Sequence, residues 1–217
     1  MAEGLRERKK RRTRQHIADV AIGLFVERGF DNVTMAEVAR AAEVSVNTVY
    51  NYFQAKEDLV LPPEEASPRR LADIVRERPP GQSAAGAVLE RLRREIRGRE
   101  RAVGLSAGFG RVLEMMRAAP TLTARLEDLG RRMTDALAAE LAGETGADAA
   151  DPLPRLVAWH IGCLHSLVYA EIGRRTTAGE SPDAIAAAVL ELLDVAESLL
   201  GERVRAYAVR EGRPCSE

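Results

Sequence analysis

The chain contains 217 residues, of which 46% are hydrophobic and 30% are charged, and its formal net charge is −1. A chain of this length and composition can bury the core of one large or two small globular domains. It has no run of about 18 uncharged apolar residues, which a membrane helix needs, and its charged beginning is unlike a secretory signal. Cys163 and Cys215 lie far apart and indicate no disulfide framework. We therefore expect a cytoplasmic protein with no membrane partner.

Positive charge is concentrated at the start of the chain. Residues 1–14 hold seven basic and two acidic side chains, a charge of +5, which leaves −6 for the remainder. A basic arm of this kind suits a polyanionic partner such as nucleic acid. A solvated, flexible tail has the same composition, so charge alone does not decide between these two interpretations.

Helical periodicity organises the first sixty residues. Apolar residues recur every three or four positions over Arg11–Arg28 and predict a first helix. Thr34 and Glu37 have the spacing of a capping box and predict the start of a short second helix. After a tight turn, Ser45 can cap a third helix that runs through Phe53. Two short helices across a tight turn, behind a longer one, predict a helix-turn-helix.

The third predicted helix has the composition of a helix that reads DNA. In a helix-turn-helix the second helix of the motif places its side chains in the major groove. Val49 and Phe53, four residues apart, supply a stripe that faces the core. The remaining positions offer hydrogen-bond donors, acceptors and aromatic rings to a partner: Ser45, Val46, Asn47, Thr48, Tyr50, Asn51 and Tyr52.

Prolines at 62, 63, 68, 79 and 80 interrupt the pattern after the third helix. We place a domain boundary here and expect only a short helix at about 69–78. Further helices are predicted at about 83–98, 105–118, 121–142, 153–176 and 182–208. No strand alternation appears. The predicted fold is all-α, with a helix-turn-helix domain and its basic N-terminal arm in residues 1–60, and a helical ligand-binding and dimerisation domain in residues 61–217.

The N-terminal motifs resemble those of the TetR family of bacterial transcription regulators. They are Thr-Arg-x-x-Ile-x-x-x-Ala at 13–21, Leu-Phe-x-Glu-Arg-Gly-Phe at 24–30, Thr-Met-x-x-Val-Ala at 34–39, and Ala-Glu-Val-Ser-x-x-Thr-Val-Tyr-x-Tyr-Phe-x-x-Lys-Glu-x-Leu at 42–59. The resemblance covers about a quarter of the chain. Beyond it, the sequence resembles the family only in being helical, so no ligand can be inferred from the resemblance.

The resemblance implies phosphate contacts for Thr34, Tyr50 and Lys56, which fits the attraction of helix N-termini and lysine for anions. It implies contacts with bases or sugar-phosphate for five further residues: Ser45, Val46, Asn47, Thr48 and Asn51. An asparagine can pair bidentately with adenine.

Structural alternatives remain open for three of these residues and for Tyr52. Thr34 can be only a helix cap, and Lys56 only a solvated lysine. Tyr52 can pack or contact a phosphate, and Val46 can touch a thymine methyl group or merely support the helix. The chain departs from the family at Ala55, where a serine often caps the next helix.

The resemblance also implies a homodimer that binds double-stranded operator DNA and pairs through its last two helices. Broad apolar faces and small residues on the helices predicted at 153–176 and 182–208 support close packing across a two-fold axis. Leu192 and Leu193 are expected to lie in this seam. Burial of these faces within one chain is the alternative.

An unknown small-molecule effector is expected to bind the second domain, whose roughly 150 residues exceed what dimerisation needs. Ligand pockets are lined by apolar and aromatic side chains. The candidates are Phe109, Met115, Met116, Trp159, Cys163, Ser166 and Tyr169, although residues of these types are more often plain core than pocket lining. Trp159, Cys163 and Ser166 share one helical face.

The expected function is a repressor that a small apolar or amphipathic ligand releases from a palindromic operator. An enzyme is disfavoured because no phosphate loop, nucleophile elbow or paired-histidine motif occurs. No cofactor is expected, and His160, Cys163 and His165 are spaced too far around one helix to hold a metal ion. A DNA-binding architectural protein without a ligand is the other alternative.

Overall fold

The computed structural model describes residues 4–61, 66–100, 103–105 and 109–211. Every regular element within these ranges is helical, which confirms the predicted all-α fold. A 3-10 helix spans Lys56–Leu59. The α-helices are α1 (Leu5–Arg28), α2 (Met35–Ala41), α3 (Val46–Tyr52), α4 (Arg70–Glu77), α5 (Ala84–Gly98), α6 (Phe109–Ala118), α7 (Pro120–Thr145), α8 (Leu153–Thr177), α9 (Pro182–Leu199) and α10 (Glu202–Arg205). No helix in these ranges combines the length and the apolar character that a membrane span requires.

Two helices depart most from their predicted bounds. Helix α1 begins at Leu5 rather than near Arg11, so most of the basic arm is helical. The last predicted helix, 182–208, is broken, because α9 ends at Leu199 and Gly201 has an extended backbone with φ −60° and ψ 151° before α10. Glycine interrupts helices readily because it has the most backbone freedom to lose.

The segment after α3 contains only a short 3-10 helix, and the next α-helix, α4, begins at Arg70, close to the predicted 69–78. Pro62 and Pro63, two of the five prolines expected to interrupt the helical pattern, lie outside the described residues, as does Cys215.

The chain divides into two compact units. The first comprises Met1–Ala66 and Arg111–Arg125, and the second comprises Ser67–Gly110 and Leu126–Glu217. The predicted division at residues 60 and 61 did not anticipate that residues 111–125 belong with the N-terminal segment. As a result, helices α6 and α7 each contribute residues to both units.

The core of the first unit contains aromatic and aliphatic side chains from α1, α2, α3 and the 3-10 helix. Phe25 and Phe30 meet edge to face, with ring centroids 5.0 Å apart. Helices α6 and α7 complete this core with four buried residues: Met115, Met116, Ala119 and Leu122.

The second unit has its own core, built mainly from α5, α7, α8 and α9. Leu193, which we expected in a dimer seam, is fully buried in this core. The placement of Leu193 in the seam is therefore wrong, because its side of α9 already packs within the unit.

Candidate functional site

Helix α2 begins with the predicted capping box. The Thr34 hydroxyl accepts a hydrogen bond from the Glu37 backbone N–H at 3.2 Å, and the Glu37 carboxylate accepts one from the Thr34 backbone N–H at 2.8 Å. The hydrogen bonds that the Glu37 carboxylate accepts from the Thr34 backbone N–H and from the Thr34 hydroxyl hold the pKa of Glu37 below its usual value. The box satisfies N–H groups that the first turn of a helix leaves unpaired. Thr34 therefore acts as a cap in this structure, and a phosphate contact remains a prediction.

Helix α3 is held by a cap at one end and a core stripe along one side. The Ser45 hydroxyl accepts a hydrogen bond from the Thr48 backbone N–H at 3.0 Å, and the two hydroxyl oxygens lie 2.8 Å apart. Val49 and Phe53 are buried, as their spacing predicted. The local sequence thus determines which side of α3 faces outward.

The outward side of α3 carries the residues predicted to contact DNA. Val46, Asn47, Tyr50 and Asn51 are exposed, while Thr48 and Tyr52 are half-buried. Exposed residues at i, i+3 and i+4 lie next to each other on a helix. The structure therefore brings an aliphatic group, two amides and a phenol together on one face of a seven-residue helix.

Lys56 is neither solvated nor free. Its ammonium group donates hydrogen bonds to the backbone carbonyls of Phe30 at 2.9 Å and Val33 at 3.2 Å, and lies 4.3 Å from the centre of the Phe30 ring. Lysine has three N–H donors, so two are used within the protein. Lys56 fixes the loop between α1 and α2, a role that local sequence patterns did not reveal.

Asp58 replaces the cap that Ala55 cannot provide. One Asp58 carboxylate oxygen accepts hydrogen bonds from the backbone N–H groups of Gln54 at 3.1 Å and Ala55 at 3.0 Å. The other oxygen accepts a bond from the Arg125 guanidinium at 2.5 Å. Asp58 is buried. The 3-10 helix is therefore capped despite Ala55, and its cap is paired with a residue 67 positions further along the chain.

Comparison with known proteins identifies the family. A model described as bacterial regulatory proteins, tetR family, matches residues 17–61. Over 163 residues the chain is 30% identical to the HTH-type transcriptional regulator TcmR of Streptomyces glaucescens, covering 71% of this chain and 70% of that protein. The chain belongs to the TetR family.

Solved structures have the same fold as this TetR-family chain. Native NalD, the secondary repressor of the MexAB-OprM multidrug efflux pump in Pseudomonas aeruginosa, is 18% identical and has a TM-score of 0.55, with 87% of this chain and 96% of NalD covered. The SmeT–triclosan complex is 17% identical and has a TM-score of 0.56, with 93% and 99% covered. Membership of the TetR family makes the chain a DNA-binding transcription regulator, which confirms the function predicted from the N-terminal motifs.

The residues predicted to bind the ligand of this TetR-family regulator do not lie together in the structure. Met115 and Met116 belong to the core of the first unit. Phe109 belongs to the second unit and lies against Gly104, where φ is +77° and an added Cβ would come within 2.3 Å of the Phe109 ring. Tyr169 is half-buried against the core of the second unit.

Trp159, Cys163 and Ser166 are exposed along one face of α8. The prediction that these three residues line an interior pocket does not fit this exposure, because an outward face of a single chain cannot enclose a ligand. The sequence correctly predicted that they share a face but could not show that the face points outward.

Lys56→Met tests whether this lysine is structural. The substitution keeps a side chain of similar length but removes the ammonium group, so two backbone carbonyls lose their donor. We expect the free energy of unfolding to fall by about 1–3 kcal/mol. The measurement is urea denaturation followed by circular dichroism, with Lys10→Met in the exposed part of α1 as the control. Equal stability of the two variants would leave Lys56 without a structural role.

Proposed function

We propose that the chain is a cytoplasmic, homodimeric repressor that binds a palindromic operator through α3 and is released by a small apolar or amphipathic effector. The observation that carries this proposal is the outward face of α3, where polar and aromatic groups are exposed above a buried stripe. Such a face matches the major groove, in which each base pair presents a distinct pattern of donors and acceptors.

Individual roles on the DNA follow from residue chemistry. Asn47 and Asn51 are proposed to read base edges, and Val46 to touch a thymine methyl group. Ser45 and Thr48 hold the start of α3 and present hydroxyls to sugar-phosphate. Phosphate contacts are proposed for four residues: Thr34, Tyr50, Tyr52 and Lys56, the last through its third N–H donor.

The dimer is proposed to form through exposed apolar stripes on α8 and α9. On α8, Leu156, Trp159 and Leu167 are exposed, and on α9, Val195 and Leu199 are exposed. Cys163 and Ser166 lie in the α8 stripe, so we assign them and Trp159 to the interface rather than to a pocket. Contiguous apolar surface of this kind typically marks a protein–protein contact. A two-fold axis pairs the same patch on both chains.

The effector is proposed to bind the second unit and to shift the chain toward a conformation with low operator affinity. SmeT, which has the same fold, has been solved as a complex with triclosan. A ligand can lower operator affinity only by its differential affinity for the two conformations, and a hundredfold release requires about 2.7 kcal/mol of coupling. Helices α6 and α7 supply a covalent route for that coupling, because each contributes residues to both units.

Selection of bound sequences from random DNA tests the proposed function. We expect a palindrome whose half-sites are about one helical turn apart, roughly 34–36 Å, or a longer site for two dimers. Recovery of sequences without two-fold symmetry would contradict the dimeric repressor.

Asn47→Ala tests the reading helix on the selected operator. We expect the preference at one base pair of each half-site to relax, with a loss of about 1–3 kcal/mol in binding free energy. The slope of log affinity against log salt should stay unchanged, because no phosphate contact is removed. Gln54→Ala, an exposed amide just beyond α3, is the matched control and should keep the full base preference.

A further inference from the structure

A buried carboxylate in the second unit is held by two arginines. Glu95 of α5 is only 1% exposed. One of its carboxylate oxygens accepts a hydrogen bond from Arg70 Nη2 at 2.7 Å, and the other accepts one from Arg91 Nε at 2.5 Å. The Arg91 side chain is 42% exposed, whereas that of Arg70, the first residue of α4, is 20% exposed. Two cations therefore share one anion, so the charge of Arg70 is only partly balanced.

Arg70 and the nearby His165 each have a buried nitrogen atom without a hydrogen-bond partner in the part of the chain that the structure describes. Arg70 Nε and His165 Nε2 have no hydrogen-bond partner among the described residues. Buried polar groups are hydrogen-bonded in the great majority of cases, and each unpaired one costs about 1–3 kcal/mol. A guanidinium N–H can only donate. Arg70 Nε therefore requires an acceptor.

The groups around these nitrogens favour a flat ligand with an oxygen anion. The His165 and Tyr169 rings lie 4.6 Å apart between centroids and tilt by 32°. Burial, together with the charge of Arg70, lowers the pKa of His165 to about 4, so the imidazole is neutral at neutral pH. A neutral imidazole donates one hydrogen bond, and the Tyr169 ring offers an aromatic face. The positive charge of this group of residues therefore comes from arginine.

We propose that Arg70 and His165 form the polar end of the effector site, and that the effector is an organic acid whose anionic oxygen accepts hydrogen bonds from both while its flat apolar body lies against Tyr169. This inference rests on the proposed function, since it assumes that the second unit binds a small molecule. It narrows the effector from any apolar or amphipathic compound to an acid. A buried water bridging the two nitrogens is the competing explanation.

Paired acid and amide probes test the site by isothermal titration with the full-length chain. The probes are 2-naphthoate with 2-naphthamide, and decanoate with decanamide. We expect an acid to bind at least tenfold more tightly than its amide, and Arg70→Gln to remove that difference. Arg69→Gln is the matched control, because this neighbouring arginine is half-exposed and pairs with Glu140. Equal binding of acids and amides, or no binding of either acid, would overturn the proposal.

Nitrogen NMR of the histidine rings gives a readout that does not depend on a variant's stability. The chain has three histidines. We expect 2-naphthoate to shift the His165 imidazole signals, assigned with His165→Asn, and to leave His16 and His160 unchanged. An unchanged His165 would support the bridging water. Operator release is measured separately on the selected DNA, so an acid that binds at Arg70 without releasing DNA would contradict the proposed function while the site itself stands.

Discussion

Leu167→Arg is expected to convert the dimer into monomers that remain helical and bind the operator at least about 100-fold more weakly. Leu167 is 48% exposed on α8 within the stripe that we assign to the two-fold interface. An arginine there would bring an unpaired charge into an apolar contact, and its symmetry mate would double the penalty. Two half-sites bound by one dimer gain an effective concentration that separate monomers lose.

Val209→Arg is the matched control for this experiment. Val209 is 47% exposed, almost the same as Leu167, but lies outside the stripes on α8 and α9. We expect the Val209→Arg variant to remain dimeric and to bind the operator with unchanged affinity. Sedimentation velocity distinguishes the two variants. Trp159, the only tryptophan and 58% exposed in the single chain, should shift its emission to longer wavelength only in Leu167→Arg. A dimeric Leu167→Arg would place the interface on another face.

Arg78→Met is expected to cost about 3–5 kcal/mol of stability, a large fraction of the total for a domain. Arg78 is 3% exposed. Its guanidinium donates to the carboxylate of Glu144 and to three backbone carbonyls: Val75, Gln82 and Ala208. Methionine preserves much of the volume but none of the donors, so the carbonyls and the Glu144 charge lose their partner.

Arg76→Met provides the comparison for Arg78→Met. Arg76 is only two residues away, but its side chain is half-exposed and pairs with Asp73 on the surface of α4. Exposed ion pairs contribute about 0.2–1 kcal/mol. Urea denaturation of both variants should therefore give a loss at least three times larger for Arg78. Similar losses of stability in the two variants would indicate that hydrogen bonds from water replace those of the Arg78 guanidinium.

Most of the helices and the family were predictable from sequence because both depend on local patterns. The capping box of Thr34 and Glu37 and the stripe of Val49 and Phe53 each involve residues at most four positions apart. Interactions of this range are encoded in the spacing of residue types. The function class followed from the same motifs, whose order and spacing matched the TetR family.

Only the tertiary structure decided which side chains are buried and which distant residues they contact. Leu193 and Val195 are both apolar residues of α9, yet one is buried and the other exposed. Asp58 meets Arg125, and Arg70 meets Glu95 and lies close to His165, through contacts between helices far apart in sequence. A helix pattern specifies an apolar or polar face but not the neighbour that covers it, since that neighbour depends on how distant segments pack. Sequence alone therefore identified the helix that we propose reads the operator, whereas packing between helices decided which apolar faces stay exposed and which polar groups are buried.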